Sequence, residues 1–267
     1  MIYFIVPAYN EEKNIETLIA KTAEKMEELN EDYRILVVND GSSDNTDRIV
    51  RSFTGKANVD ILTHPTNLGV GAAFRNGFKK ALAETTDDDI IVTKEADNTS
   101  DLSILKDMTL QIRGGSDVVL ASCFTKGGGV KNSTPYRHML SAGANALIKL
   151  FFNMRGLHTF SSFYRAYRPS ILRTALACYG GRLIEEPGYE CMVDSLIKLH
   201  RLTRNISEVP MVLRCDMREG KSKMKVLRTI RGYLRVVFKN LFLFHVGRTG
   251  SDHDDFRRAV KGEERTT

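Results

Sequence analysis

Between residues 2 and 122 the chain alternates short apolar runs with longer stretches of helical period, and this rhythm constrains its fold more than any other feature. Ile2–Val6, Arg34–Val38, Val59–Leu62, Asp89–Thr93 and Val118–Ser122 read as strands. Ile15, Leu18, Ile19, Thr22, Met26 and Leu29 recur at helical spacing within 11–30, and further helices are expected at about 46–53, 72–84 and 101–112. Apolar strands that alternate with helices form a parallel sheet covered on both faces, so the expected class is α/β with a mostly parallel sheet. After Gly127-Gly128-Gly129 the rhythm changes to helices at about 136–153 and 188–202 and a strand at about 205–213. No Pro, Gly or Ser linker separates the two parts, so they read as one domain.

With 267 residues, 42% of them hydrophobic and 27% charged, the chain can bury one large core. No run approaches the ~18 uninterrupted apolar residues of a membrane span. The first residues, MIYFIVPAYNEE, lack a basic start and a long apolar stretch, so they read as a strand and not as a signal peptide. Cys123, Cys178, Cys191 and Cys215 form no CxxC pair, which points to reduced thiols in a cytosolic setting without structural zinc. The net charge of +6 is concentrated late: residues 201–250 carry 12 basic and 3 acidic side chains, against 23 and 25 in residues 1–200. A local basic block suits a polyanion. Lys225, Arg228, Arg231, Arg235 and Lys239 fall within about a 120° arc of one helix at ~100° per residue. Val226, Leu227, Ile230, Leu234, Val236, Val237, Phe238, Leu241, Phe242 and Phe244 occupy the remainder. Such a helix either packs on the core with a solvated basic face or lies in a membrane interface against anionic headgroups. The wide apolar arc favours the interface. Few aromatics placed for stacking argue against nucleic acid.

Ligands of open parallel sheets bind at the carboxyl ends of the strands. Three polar clusters fall there: Pro7-Ala8-Tyr9-Asn10-Glu11, Asn39-Asp40-Gly41-Ser42-Ser43-Asp44 and Glu95-Ala96-Asp97. Any one of them reads equally well as a helix cap. Together they make an acidic rim, which a divalent cation bridging to a diphosphate would neutralise. Gly69-Val70-Gly71 lacks the third glycine of a dinucleotide site, the six histidines lack metal-ligand spacing, and Cys123 reads as a buried inert thiol.

These clusters resemble the nucleotide-sugar motifs of family 2 glycosyltransferases with the GT-A fold. Arg137-His138-Met139-Leu140-Ser141 with Asn145, Phe163-Tyr164-Arg165-Ala166-Tyr167-Arg168, Glu208-Val209-Pro210 and Arg218-Glu219-Gly220-Lys221-Ser222-Lys223-Met224 extend the resemblance to the dolichol-phosphate mannose synthase branch, over about residues 1–245. The resemblance implies a GT-A domain over 1–222 with acceptor-side helices. It is followed by the basic membrane-interface helix at 223–250 and a polar tail at 251–267. It implies that Pro7, Tyr9, Glu11, Val38 and Asp40 surround the nucleoside. Glu95, Ala96 and Thr99 would line the diphosphate, and Asp97, with Glu95 and Thr99, would hold Mg²⁺ or Mn²⁺. Arg137, Arg165 and Arg218 would serve catalysis, and Arg137, Ser141, Arg218 and Lys223 the acceptor phosphate. The implied activity is inverting transfer of a hexosyl group from GDP-mannose or UDP-glucose to a polyprenyl phosphate. The implied location is the cytoplasmic membrane face, peripherally bound.

Departures from the branch are the longer Glu95 in the DxD-like motif, Cys123 where an arginine is common after the fifth strand, and Thr159 in place of an aspartate. Lys126 or Lys131 can replace the missing charge, although a lysine is not a bidentate fork. Two alternatives stand beside this reading. One is a family 2 transferase with a soluble or glycan hydroxyl acceptor, for which Asp194 is the nominated base. The other is a non-catalytic nucleotide-sugar binding protein of the same fold.

Overall fold

Strand β1 (Ile2–Ala8) is buried along its length, and its alternating side chains define the two layers packed on the sheet. Ile2, Phe4 and Val6 face one core, built with α1 (Ile15–Leu29), α2 (Thr46–Phe53) and α4 (Leu105–Arg113). Tyr3 and Ile5 face the other, built with α3 (Val70–Glu84), α5 (Pro169–Tyr179) and α6 (Cys191–Leu202). The computed structural model describes residues 1–56, 58–132, 143, 145, 146, 148–152, 154, 156–220 and 226–246, with the backbone alone for 226, 227 and 242–246.

The remaining strands are β2 (Tyr33–Asn39), β3 (Val59–Thr63), β4 (Ile90–Thr93), β5 (Val118–Ser122), β6 (Gly129–Lys131), β7 (Arg165–Tyr167), β8 (Ile206–Pro210) and β9 (Val212–Arg214). Seven of them form one sheet in the order β3-β2-β1-β4-β7-β5-β8, and β6 pairs with β9 in a second sheet. Every pair of the large sheet is parallel except those of β7, which runs antiparallel between β4 and β5. The mostly parallel α/β class expected from the sequence is therefore present.

β7 and α5 were not foreseen, because a three-residue strand headed by an arginine carries no periodicity. The expected strand at 205–213 divides at Pro210, and β9 leaves to pair with β6. Residues 143, 145, 146 and 148–152 are helical, as expected within 136–153. A last helix, α7 (Val226–Val246), packs against α6. Among the described residues no helix is long and apolar enough to cross a membrane.

Candidate active site

β1, β2 and β4 end on one edge of the sheet, where their polar extensions meet around a cavity of about 730 Å³. Pro7, Tyr9, Glu11, Asp40, Glu95, Ala96, Asp97, Thr99 and Arg218 all line it. The structure thus joins residues as far apart in the chain as Pro7 and Arg218.

Asp40, directly after β2, is buried and holds the cavity wall together. Its Oδ1 accepts from His64 Nδ1 at 2.7 Å and from Leu68 N at 2.9 Å, and its Oδ2 accepts from Gly69 N at 2.9 Å. The Nδ2 of Asn76 donates to His64 Nε2 at 3.0 Å, so the imidazole proton sits on Nδ1 and is given to Asp40. Gly41 (φ +69°) turns the chain so close to this wall that a Cβ there would stand 2.3 Å from the carbonyl carbon of Thr66. The glycines of Gly69-Val70-Gly71 serve close packing: a Cβ on Gly71 would lie 1.9 Å from the Glu186 carbonyl oxygen.

On the opposite side, Asp97 Oδ1 accepts from Thr99 N (3.1 Å) and Thr99 Oγ1 (2.7 Å). Its Oδ2 accepts from Arg218 Nε at 2.8 Å and also from Nη2. Glu95 accepts from Ser100 Oγ at 2.8 Å and Phe163 N at 3.3 Å. Burial, and then the neighbouring Asp97 charge, push the Glu95 carboxyl above the usual carboxylate range. Two hard oxygen donors forced together in a buried rim fit a divalent cation. Among the described residues no group of three His, Cys, Asp or Glu side chains gathers there, so diphosphate oxygens and water would complete the coordination. Asn14 fastens the Arg218 loop: its Oδ1 accepts from Glu219 N (2.9 Å), and its Nδ2 donates to Glu219 O (3.0 Å) and Glu11 Oε2 (2.7 Å).

Several assignments from sequence need correction. Arg165 is fully buried and donates to the carbonyls of Ser162 (2.7 Å), Met192 (2.9 Å) and Phe160 (2.7 Å), so it braces the fold, and it does not line the cavity. Val38 is buried inside the sheet and does not line the cavity. Asp194, the nominated base, lies away from the cavity and is held by Lys198 Nζ (2.6 Å) and Asn240 Nδ2 (2.9 Å). Neither Lys126 nor Lys131 lines the cavity. Cys123 does line it, but burial pushes its thiol up to about 12, which keeps it protonated and inert. Arg137, Ser141, Lys223 and the 251–267 tail lie outside the described residues.

Two contributors were missed. Glu190, at the start of α6, is 4% exposed and lines the cavity, and its carboxylate presses against Gly232 of α7. Lys94 lies buried behind the rim, with Nζ donating to Ser100 O at 2.8 Å above the Tyr164 ring. It fixes the loop that presents Glu95 and Asp97, and burial lowers its pKa. A charged residue closing an apolar strand was the available signal for Lys94. For Glu190 the only signal was its place four residues before Asp194.

The basic stripe of α7 is divided. Lys239 turns inward to Glu185, Glu186 (3.3 Å) and Asp194 (3.6 Å). Arg228 reaches the cavity. Arg231, Leu234, Arg235 and Phe238 face outward.

The family model described as Glycosyl transferase family 2 matches residues 3–176. A dolichol-phosphate mannosyltransferase of Pyrococcus furiosus is 28% identical over 236 residues, covering 88% of this chain and 62% of that protein. This chain therefore spans less than two thirds of the Pyrococcus relative. A polyprenol monophosphomannose synthase of Mycolicibacterium smegmatis is 26% identical over 223 residues (82% and 79% of the two chains). A dolichyl-phosphate beta-glucosyltransferase of Trichomonas vaginalis is 30% identical over 159 residues (55% and 46%). Among solved structures, glucosyl-3-phosphoglycerate synthase from Mycobacterium tuberculosis with Mn²⁺, UDP and phosphoglyceric acid superposes with a TM-score of 0.61 at 17% identity, over 89% of this chain and 76% of that one. S. aureus TarS with UDP-GlcNAc gives 0.56 at 19%, over 97% and 81%. These likenesses show a shared fold, the GT-A arrangement expected from the sequence.

Proposed function

The chain belongs to glycosyl transferase family 2, and we propose that it moves a hexosyl group from a nucleoside-diphosphate sugar to a polyprenyl phosphate at the cytoplasmic membrane face, with inversion. Mannose and glucose are the candidate sugars, since the relatives include enzymes named for each. The observation that carries the reading is the convergence of Asp40, Glu95, Asp97 and Arg218 on one cavity.

In this reading the nucleoside lies between Tyr9 and the Asp40 wall, and the diphosphate lies toward Glu95, Asp97 and Thr99. An oxygen of the acceptor phosphate attacks the anomeric carbon from the face opposite the diphosphate, and the bond from that carbon to the diphosphate oxygen breaks. The acceptor is already anionic, so no proton need be removed. Arg218 moves from Asp97 to the negative charge of donor or acceptor. Glu95 and Asp97 would hold Mg²⁺ or Mn²⁺, which supplies positive charge to the departing diphosphate. Peripheral membrane binding would use the outward face of α7 together with Leu150 and Phe151, both exposed.

One observation favours a second reading. Glu190 is a buried carboxylate in the cavity wall, and such a group suits a hydroxyl acceptor, from which a proton must be taken. The test of both is a panel of radiolabelled nucleotide sugars with Mn²⁺ and membranes containing polyprenyl phosphate. Label that enters the organic phase supports the first reading. Label found only in water-soluble glycans supports the second, and label in neither removes both.

A further inference from the structure

Asn14 stands at the N-cap of α1, where an asparagine side chain ordinarily accepts from the first free N–H groups of its helix. It makes no such bond. Its amide is turned instead to a loop 205 positions later in the chain. Oδ1 accepts from Glu219 N at 2.9 Å, one Nδ2 hydrogen goes to Glu219 O at 3.0 Å, and the other goes to Glu11 Oε2 at 2.7 Å. Both amide hydrogens are thus used, on a side chain that is 2% exposed. Turning the amide over would set N–H against the Glu219 N–H and an oxygen against the Glu11 carboxylate, so these contacts fix its orientation. The main chain of Asn14 holds the rim as well, since its carbonyl accepts from Asn98 Nδ2 at 2.9 Å, directly after Asp97. Asn14 therefore grips the neighbour of each partner in the Arg218–Asp97 pair.

The loop itself has few other ties. Glu219 and Gly220 are exposed, and among the described residues the hydrogen bonds of 218–220 go to Asp97 and Asn14. Gly220 has a φ of +96°, a conformation that side chains with a Cβ rarely adopt, so the chain turns directly after the pinned peptide. A cation that takes Asp97 removes the partner of Arg218 and leaves both bonds to Glu219 in place. We propose that Asn14 is a positioning residue for Arg218: it pins the adjoining peptide, so that the guanidinium released from Asp97 pivots inside the cavity toward phosphate instead of leaving with the loop. The inference rests on the reading of this cavity as a nucleotide-sugar transferase site and names what holds its late arginine in reach.

The test is a double-substitution cycle on the full chain, read by steady-state transfer, with thermal melts to confirm folding. Asn14→Ala keeps the carbonyl that Asn98 holds and removes the side-chain contacts. It is expected to lower kcat on the order of a hundredfold, the effect of a misplacement of about 1 Å. In an Arg218→Ala background the same substitution is expected to lower kcat by no more than about twofold, because a pivot without its arginine positions nothing. Equal losses in the two backgrounds would mean that Asn14 supports the fold alone, and they overturn the inference. Amide hydrogen exchange of Glu219 in the unaltered protein, with Mn²⁺ and UDP or GDP added in turn, needs neither the variants nor transfer. Protection of the Glu219 N–H that persists when a nucleotide binds supports the pivot, and protection lost on binding overturns it while the donor site stands. Binding of neither UDP nor GDP overturns the donor-site reading and this inference with it.

Discussion

Replacing Arg218 with alanine is expected to loosen the free protein and at the same time tighten its hold on Mn²⁺. Arg218 gives Nε at 2.8 Å and Nη2 to a single Asp97 oxygen, with side chains 26% and 11% exposed. Exposed ion pairs contribute about 0.2–1 kcal/mol, and hydrogen bonds to charged groups about 1.5–3 kcal/mol. A half-buried pair belongs between them, at about 1.4 kcal/mol after discounting for solvent. A domain of this size loses about 2–4 °C of Tm per kcal/mol, so Arg218→Ala should melt about 3–6 °C lower without metal. The same energy is about tenfold in a binding constant, and a cation that claims Asp97 no longer has to displace the guanidinium. The Kd for Mn²⁺ without nucleotide should therefore fall about tenfold, while the proposed role of Arg218 toward phosphate requires transfer to drop. Arg201→Ala is the control, since that guanidinium donates to Asn240 O at 3.2 Å outside the cavity. Thermal melts and a Mn²⁺ titration followed by electron paramagnetic resonance read both effects. A Mn²⁺ affinity that is unchanged or weaker in Arg218→Ala would refute the competition for Asp97.

Glu190→Gln should leave Tm within a degree or two and change transfer, whereas Asp194→Ala should cost about 3 kcal/mol by taking the nearest carboxylate from buried Lys198, and leave KM for the donor unchanged below its melting point; steady-state kinetics beside thermal melts separate the two. Gly71→Ala places a Cβ against the Glu186 carbonyl and should destabilise by about 1–3 kcal/mol and weaken UDP binding, while Gly181→Ala, which meets nothing within 4 Å, should do neither; melting curves with and without UDP check this. Arg231→Glu with Arg235→Glu should lower binding to anionic liposomes on the order of a thousandfold, at about 1 kcal/mol per arginine lost and a similar amount per glutamate added, without altering nucleotide binding; cosedimentation measures it, and full retention on the liposomes would remove the interfacial role of α7.

The fold was legible wherever a segment was long enough to show a period. β1, β2, β5 and α1 follow directly from apolar spacing, α2 from the turn and cap residues before it, α3 and α4 from the stretches between strands, and the acidic clusters were correctly placed at the ends of strands that share one edge. The antiparallel β7 was not legible, because its three residues have no repeat and its leading Arg165 is buried only through three carbonyls supplied from elsewhere. Arg165 shows the general difficulty with arginines in motifs. A guanidinium with five donors satisfies phosphate oxygens and backbone carbonyls equally well, and the chain alone does not say which it will meet. Asp40 is the converse case: its position in the site was evident, but three of its acceptor positions are taken by His64, Leu68 and Gly69, a wall formed only when the chain folds back from β3. Glu190 and Asp194 are four residues apart and share a helical face. Which one opens on the cavity depends on where α6 begins, and Glu190 stands just before its first residue.

The late basic helix shows how charge spacing alone overstates an electrostatic partner. Lys239 keeps step with Arg231 and Arg235 along the sequence, but Glu185, Glu186 and Asp194 form an acidic recess beneath it. A flexible lysine stem carries its ammonium inward to that recess. Arg228 is drawn to the cavity mouth, and Arg235 stands 3.7 Å from Glu186. Of the five expected cations, Arg231 and Arg235 remain outward among the described side chains, flanked by exposed Leu234 and Phe238. Two arginines give a shallow salt dependence, whereas two large apolar side chains beside them add attraction that salt does not screen. A membrane contact through this face would therefore lean more on Leu234 and Phe238 than the count of basic residues implies. Raising salt should weaken liposome binding only partly, and Phe238→Ser should weaken it at every salt concentration.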